Sequence, residues 1–347
     1  MKTSNRITKT VLIGAATLAA VALTPPAEGA FPMNIETVLI EAPGGITNGD
    51  DTVASPQGTY HGCVSYNYHI GKYEIAQGQW KDFLNEVAKN DPYGLWTSNM
   101  GTQTAYSGIT RAQDAIDPNK WTYSVSDDYK DLPVVYVTLL DAKRFCNWLT
   151  NQKLYGTSGT ENGIYTISAG DNAVRDDAVW QAGGIALPDE DEWYKAAFYD
   201  PNKTGYNMYS TTGINPSSGD TMDPSKANYN NSYYNNGGSP YRLNPVGFYK
   251  DYASAYGAVD MTGNVWEWTD SKYSSSNRAV RGAAHNSNAA DLAAGSSRNG
   301  LAPTAEGFCL GFRVASLEPI PEPSTYGVIG GALVGLLCLI RRRRKKA

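Results

Sequence analysis

The nine residues from Asp260 to Trp268, Asp-Met-Thr-Gly-Asn-Val-Trp-Glu-Trp, constrain the fold more than any other stretch of this chain. They bring together two tryptophans, two carboxylates and a glycine, a mixture that suits neither a plain strand nor a plain helix. In an extended segment successive side chains alternate faces, so Trp266 and Trp268 share one side and Glu267 takes the other. The stretch reads as a buried aromatic pair beside an oxygen-rich loop. Gly263 permits a tight turn between Asp260 and Glu267, which lets both carboxylates and some intervening carbonyls converge on a hard cation such as calcium. The competing reading makes Asp260 and Asn264 caps of turns and pairs Glu267 with a surface cation.

The two ends point to export. Lys2, Arg6 and Lys9 precede an apolar run from Val11 to Leu23, and small residues continue to Ala30, so residues 1–30 have the layout of a secretory signal peptide. At the other end Pro321-Glu322-Pro323-Ser324 leads to an apolar run from Tyr326 to Ile340 and then to consecutive cations from Arg341 to Lys346. That run of about 15 residues is short for a hydrocarbon core roughly 30 Å thick, and the cations mark its cytoplasmic side. The tail, residues 317–347, resembles the PEP-CTERM sorting signal of Gram-negative bacteria. This resemblance implies an exosortase-type partner and an exported protein held at the membrane by a short transmembrane helix or released to the extracellular matrix. A plain C-terminal anchor is the alternative, and under either reading the domain faces away from the cytoplasm.

Charge narrows the partners further. With residues 1–30 and 324–347 set aside, 20 cations face 33 acids, a net charge of −13. So acidic a domain is unsuited to nucleic acid or other polyanions. Of the four cysteines, Cys63, Cys146 and Cys309 lie outside the tail and Cys338 lies within it, so the domain has at most one intramolecular disulfide.

Along the chain, residues 31–59 read as a strand around Thr37 to Ile40 followed by a loop, and Tyr66 to Glu74 alternates like a half-buried strand. Trp80, Phe83, Leu84 and Val87 form the stripe of an amphipathic helix. Residues 91–131 lack sustained periodicity and carry Tyr93, Trp96, Tyr106, Trp121 and Tyr123, the composition of a long binding loop. Leu132 to Val137 reads as a short buried strand. Thr138 and Asp141 fit a capping box, and the helix that follows turns Ala142, Phe145, Cys146 and Leu149 inward, which makes Cys146 a core thiol. Four acids, Asp189 to Glu192, occupy the first turn of a third helix, where the helix dipole accounts for them. Residues 201–240 form a second long loop region. Short elements and long loops argue for one irregular α+β domain over residues 60–316.

Taken in order, the Trp80 helix, Pro133 to Trp148, Leu187 to Trp193, Pro245-Val246-Gly247, Gly263 to Trp268, Arg281-Gly282 and Gly311-Phe312-Arg313 resemble the formylglycine-generating enzyme, or sulfatase-modifying factor, family. The resemblance implies that family's C-type-lectin-like fold. It also implies structural calcium, held by the side chains of Asp260 and Glu267 with the carbonyls of Gly263 and Val265, and a second calcium loop beginning at Asn228 and Tyr229. An acidic ligand for that second site is not evident between Gly238 and Tyr241. In the oxidase members two cysteines five residues apart follow the Arg-Gly motif and bind Cu(I), which takes soft thiolates. Here the corresponding positions are Ser287 and Leu292, so copper is not expected. The related iron-dependent sulfoxide synthases use a preceding helical domain with a histidine cluster, whereas this chain has only His61, His69 and His285.

These readings converge on a non-catalytic, calcium-braced module of the cell surface. Its pocket would form where the loops after Arg281 meet the insertion between Asp91 and Trp121, with Arg298, His285, Asn286 and Trp121 as ligand contacts. Tyrosine and tryptophan there would stack on sugars or clasp a peptide, and the association of exosortase-type sorting with exopolysaccharide production implies exopolysaccharide, or else a surface protein, as the ligand. The alternatives are a formylglycine-generating oxidoreductase acting on sulfatase cysteines and a passive matrix component.

Overall fold

A computed structural model describes residues 33–42, 61–203, 205–212, 223–230, 243–294 and 296–321. The signal-peptide reading, the tail from Glu322 onward with its apolar run, and Gly238 to Tyr241 lie outside these residues.

Two small sheets carry the molecule. The first joins β1 (Thr37–Ile40), β2 (Tyr68–Gly71), β12 (Ala315–Ser316) and β5 (Ile185–Ala186) in that spatial order. The C-terminal strand β12 therefore lies between β2 and β5, antiparallel to both, and the end of the domain locks its beginning. The second sheet runs β10 (Arg298–Leu301), β9 (Arg278–Arg281), β8 (Trp266–Lys272) and β11 (Leu310–Gly311), with only the last pair parallel.

Three helices pack around these sheets. In α1 (Gln77–Val87), Trp80, Phe83 and Leu84 are buried, as their spacing predicts. In α3 (Leu139–Tyr155), Thr138 Oγ1 accepts the Asp141 amide at 3.2 Å while the Asp141 carboxylate accepts the Thr138 amide at 3.1 Å, so the capping box forms. Trp80 and Phe83 of α1, Phe145 and Trp148 of α3, and Phe312 make one aromatic cluster with ring centroids 4.9–6.0 Å apart. Cys146 is fully buried in this region, and burial pushes its thiol well above the ordinary range. The third helix, α5 (Glu190–Phe198), closes with Asp189 Oδ1 accepting the Glu192 amide (2.7 Å) and Glu192 Oε2 accepting the Asp189 amide (2.8 Å).

Two expectations need correction. Residues 91–131 are not a plain loop: they hold α2 (Ser98–Thr102) and a hairpin of β3 (Thr110–Gln113) and β4 (Trp121–Ser124). Gln77 of α1 anchors this insertion, giving its amide to the carbonyls of Tyr106 (2.8 Å) and Pro133 (3.3 Å) and accepting the Gly108 amide (3.0 Å). Leu132 to Val137 is buried but forms no strand; Pro133 lacks an N–H and Tyr136 sits at φ 62°, which breaks a ladder. The remaining short elements are α4 (Asp177–Gln181) and the pair β6 (Tyr199–Asp200) with β7 (Gly205–Tyr206).

Candidate functional site

The hallmark loop turns sharply before it enters β8. Asp260, Gly263 and Asn264 all have positive φ (56°, 87° and 61°). At Gly263 a Cβ would lie 2.4 Å from the Asn228 carbonyl oxygen, so glycine is demanded both by conformation and by contact. The loops at Asn228 and Gly263, each read in the sequence as a calcium loop, are thereby pressed together. Asn264 joins them: its amide donates to the Asn228 carbonyl (2.8 Å), its side-chain nitrogen to Glu74 Oε1 (3.0 Å), and its carbonyl accepts the His285 amide (3.0 Å).

Beyond the turn Trp268 is fully buried and Trp266 half-buried, and Glu267, on the opposite face, is buried as well. Its partner is not a surface cation. Glu267 takes a bidentate pair from the fully buried Arg313, with Nε on Oε2 and Nη2 on Oε1, both at 2.6 Å, and its Oε2 also accepts Trp193 Nε1 (2.8 Å). Held in this way, both oxygens of Glu267 are turned to the guanidinium. Asp260 Oδ2 accepts the Gly247 amide (2.7 Å). Burial pushes Asp260 up to about 6, and burial together with the Asp260 charge holds Glu74 well above the carboxylate range. Glu74 Oε2 is buried without a hydrogen-bond partner. Glu74, Asp260 and Glu267 thus set three carboxyl groups against the single guanidinium of Arg313. Among the described residues no group of three or more His, Cys, Asp or Glu side chains is arranged to hold a metal ion.

A second ionic knot lies at the start of α5. Glu190 Oε1 accepts Arg281 Nε (2.7 Å) and Arg298 Nε (2.6 Å), and Arg298 Nη2 reaches Oε2 (3.0 Å). Although burial opposes it, the Arg298 and Arg281 guanidiniums hold Glu190 below its ordinary range. The Arg298 guanidinium also stacks 4.4 Å from the centroid of Tyr273. Arg298, expected as a ligand anchor, is therefore engaged inside the fold. The four acids from Asp189 to Glu192 do more than answer a helix dipole: Glu190 holds these arginines and Glu192 holds Arg175 at 2.9 Å.

The insertion does meet the loop after Arg281, though through a residue the sequence did not single out as a contact. The Tyr106 ring packs 5.5 Å from His285 and 4.8 Å from Phe308, whose ring lies 5.8 Å from His285. His285 is buried, Tyr106 and Phe308 remain partly open, and Asn286 is exposed beside them. Trp121 is placed elsewhere. It and Trp96 sandwich the Arg111 guanidinium, at 4.3 and 4.1 Å, which braces the hairpin. At the positions read in the sequence as counterparts of the oxidase cysteines, Ser287 Oγ accepts the Ala284 amide (3.0 Å), and Leu292 is buried against Ala227, Tyr229 and Ala283. A hydroxyl and an alkyl chain supply no soft donor. Among the described residues no disulfide joins Cys63, Cys146 and Cys309.

Glu74, Arg313 and Glu190 were missed as a network because their partners lie 190, 46 and 91 residues away in sequence. The one available signal was the presence of charged residues within otherwise apolar or glycine-flanked motifs.

Comparison with known proteins follows the same geometry. The profile of the sulfatase-modifying factor enzyme 1-like domain matches residues 25–317. Hercynine oxygenase of Mycobacterium tuberculosis is 28% identical over 208 residues, 59% of this chain and 37% of that protein, so the match spans little more than a third of the relative. Among solved structures, CarF superposes with a TM-score of 0.51 at 19% identity, covering 83% of this chain and 99% of that one. PvdO from Pseudomonas aeruginosa does so with a TM-score of 0.51 at 18% identity and the same coverage. These likenesses establish the irregular α+β fold.

Proposed function

The chain belongs to the sulfatase-modifying factor enzyme 1-like family, and from that premise we propose that it is an exported surface module that binds a glycan and has no copper oxidase centre. The observation that carries this reading is the pair Ser287 and Leu292, a hydrogen-bonded hydroxyl and a buried alkyl chain where the oxidases need two thiolates. Beside them, Tyr106 and Phe308 offer aromatic faces and Asn286 an exposed amide, the combination that stacks on a sugar ring and fixes its hydroxyls. The acidity of the domain favours neutral or cationic ligands over polyanions.

Calcium enters this proposal through Asp260 and the carbonyls of Gly263 and Val265, with Asn228 and Tyr229 on the adjoining loop. The excess of buried carboxyl groups over Arg313 and the unpartnered oxygen of Glu74 suit a divalent cation there. Glu267 does not fit as a ligand while it holds Arg313. Bound there, the ion would brace the hallmark loop and supply no chemistry to a ligand.

Oxidation chemistry is the second reading, favoured by the name of the hercynine oxygenase relative. The deciding experiment measures calcium and Cu(I) content and melting temperature of the purified protein, with and without chelator, followed by a glycan array and incubation with a cysteine-containing sulfatase peptide. Calcium uptake, a fall in melting temperature on chelation, and glycan binding lost in Tyr106→Ala and Phe308→Ala support the module. Stoichiometric tight Cu(I), or a mass change in the peptide, overturns it.

A further inference from the structure

We propose that the cleft between the Met33–Thr37 segment and the start of α1 binds a small organic cation, a primary amine on an apolar body. The cleft encloses about 350 Å³, within the range of ligand sites. Its apolar lining comes from Met33, Ile35, Tyr73, Ile75 and Val246. It lies apart from Ser287, Asn286 and Phe308, none of which borders it, and the inference does not depend on glycan binding.

The charge of the ligand follows by subtraction. Glu36, Asp82 and Asp131 border the cleft together with one cation, Lys130. Glu74 borders it too; its Oε1 is bonded to the Asn264 side chain at 3.0 Å and its buried Oε2 has no hydrogen-bond partner. Lys72 lies 3.2 Å from Glu36, and Lys81 pairs with Asp82. Lys130 is paired with Asp127 at 2.9 Å and is only secondarily under the charge of Asp131. Among the described residues Asp131 is then the one cleft carboxylate with neither an ion pair nor a side-chain hydrogen bond. An apolar cavity whose border carries four carboxyl groups and one cation selects a positive charge attached to an apolar body; a carboxylate-bearing ligand of the same shape would meet repulsion.

The test uses phenethylamine and its charge-reversed counterpart phenylacetate as probes, titrated into the purified protein and followed by calorimetry and by NMR shifts of cleft residues. Phenethylamine should bind saturably and phenylacetate at least tenfold more weakly. Asp131→Asn, an exposed substitution that leaves packing untouched, should weaken phenethylamine by about fivefold, the upper range for a solvent-exposed ion pair. Asp127→Asn, which frees Lys130 to neutralise Asp131, should weaken it in the same direction, and Val246→Phe should block it while leaving the melting temperature within a few degrees. Absence of saturable phenethylamine binding, equal binding of the two probes, or indifference to both Asp131→Asn and Val246→Phe overturns the assignment.

Discussion

Replacing Arg313 by methionine tests the centre of this fold. Its guanidinium is fully buried and donates to both oxygens of Glu267 at 2.6 Å, and to the carbonyls of Gly71 (2.9 Å), Lys72 (3.3 Å) and Val259 (3.1 Å). One side chain therefore ties β2, the turn after it, the approach to the hallmark loop and β8. Removing one member of a buried ion pair leaves the other charge uncompensated and costs about 3–5 kcal/mol. A domain stabilised by roughly 5–15 kcal/mol loses a large part of its margin. Glu267→Gln, which takes from Arg313 its bidentate partner, should cost a similar amount. The double variant Glu267→Gln with Arg313→Met removes both charges of this pair, so its loss should fall short of the sum by at least about 2 kcal/mol. Urea unfolding followed by the fluorescence of buried Trp193 and Trp268 reads all four corners of the cycle. Repeating it in calcium and in chelator adds a second discrimination, since an ion-pair role makes the Glu267→Gln cost equal in both, whereas a calcium ligand would lose its effect on chelation. A loss under 1 kcal/mol for Arg313→Met, or a coupling near zero, would refute the argument.

Two further outcomes follow from single positions. Gly263→Ala combines a φ of 87° with a contact of 2.4 Å to the Asn228 carbonyl, and should destabilise by about 2–4 kcal/mol in the same unfolding assay; a cost below 1 kcal/mol would mean that the two loops are not pressed together. Lys195 has no solvent exposure and donates to the Val64 carbonyl at 2.9 Å; burial, opposed by the charge of Cys63, pulls it down to about 8. The folded state then gives up this proton between pH 8 and 10.5 while the unfolded chain keeps it, so stability should rise with pH across that window, by at most roughly 3 kcal/mol. Lys195→Met should lose that rise relative to the wild type, and parallel pH profiles of the two proteins would contradict it.

Local features were legible in the sequence where one residue's own chemistry decided them. The stripe of α1, the capping box of α3, the buried thiol of Cys146 and the turn at Gly263 all depend on neighbours within a few residues. Reading failed where the partner was distant. The aromatic residues of the insertion looked alike in sequence, yet Tyr106 went to His285 and Phe308 while Trp121 closed over Arg111, because Gln77 pins Tyr106 and Gly108 to α1 and β4 pairs back along β3. Arg298 looked like a free anchor for the same reason: Glu190, which holds it, lies 108 residues earlier.

This division separates the residues that hold the fold from loop positions such as Ser287 and Leu292. Asn264 is bonded to Glu74, Glu267 to Arg313 and Arg281 to Glu190, partners distant in sequence, and each removal strands a buried charge or amide somewhere else. Substitution there is costly whatever the protein does. Ser287 has only local or adjoining-loop partners, the amide of Ala284 and the amide of Asn230 on its carbonyl, and Leu292 sits in a small satellite of the core with Ala227, Tyr229 and Ala283. Exchanging residues at these two places perturbs one loop and leaves both ionic knots intact. The family signature therefore reports the network that holds the fold, and activity has to be argued from the few positions that the network does not need.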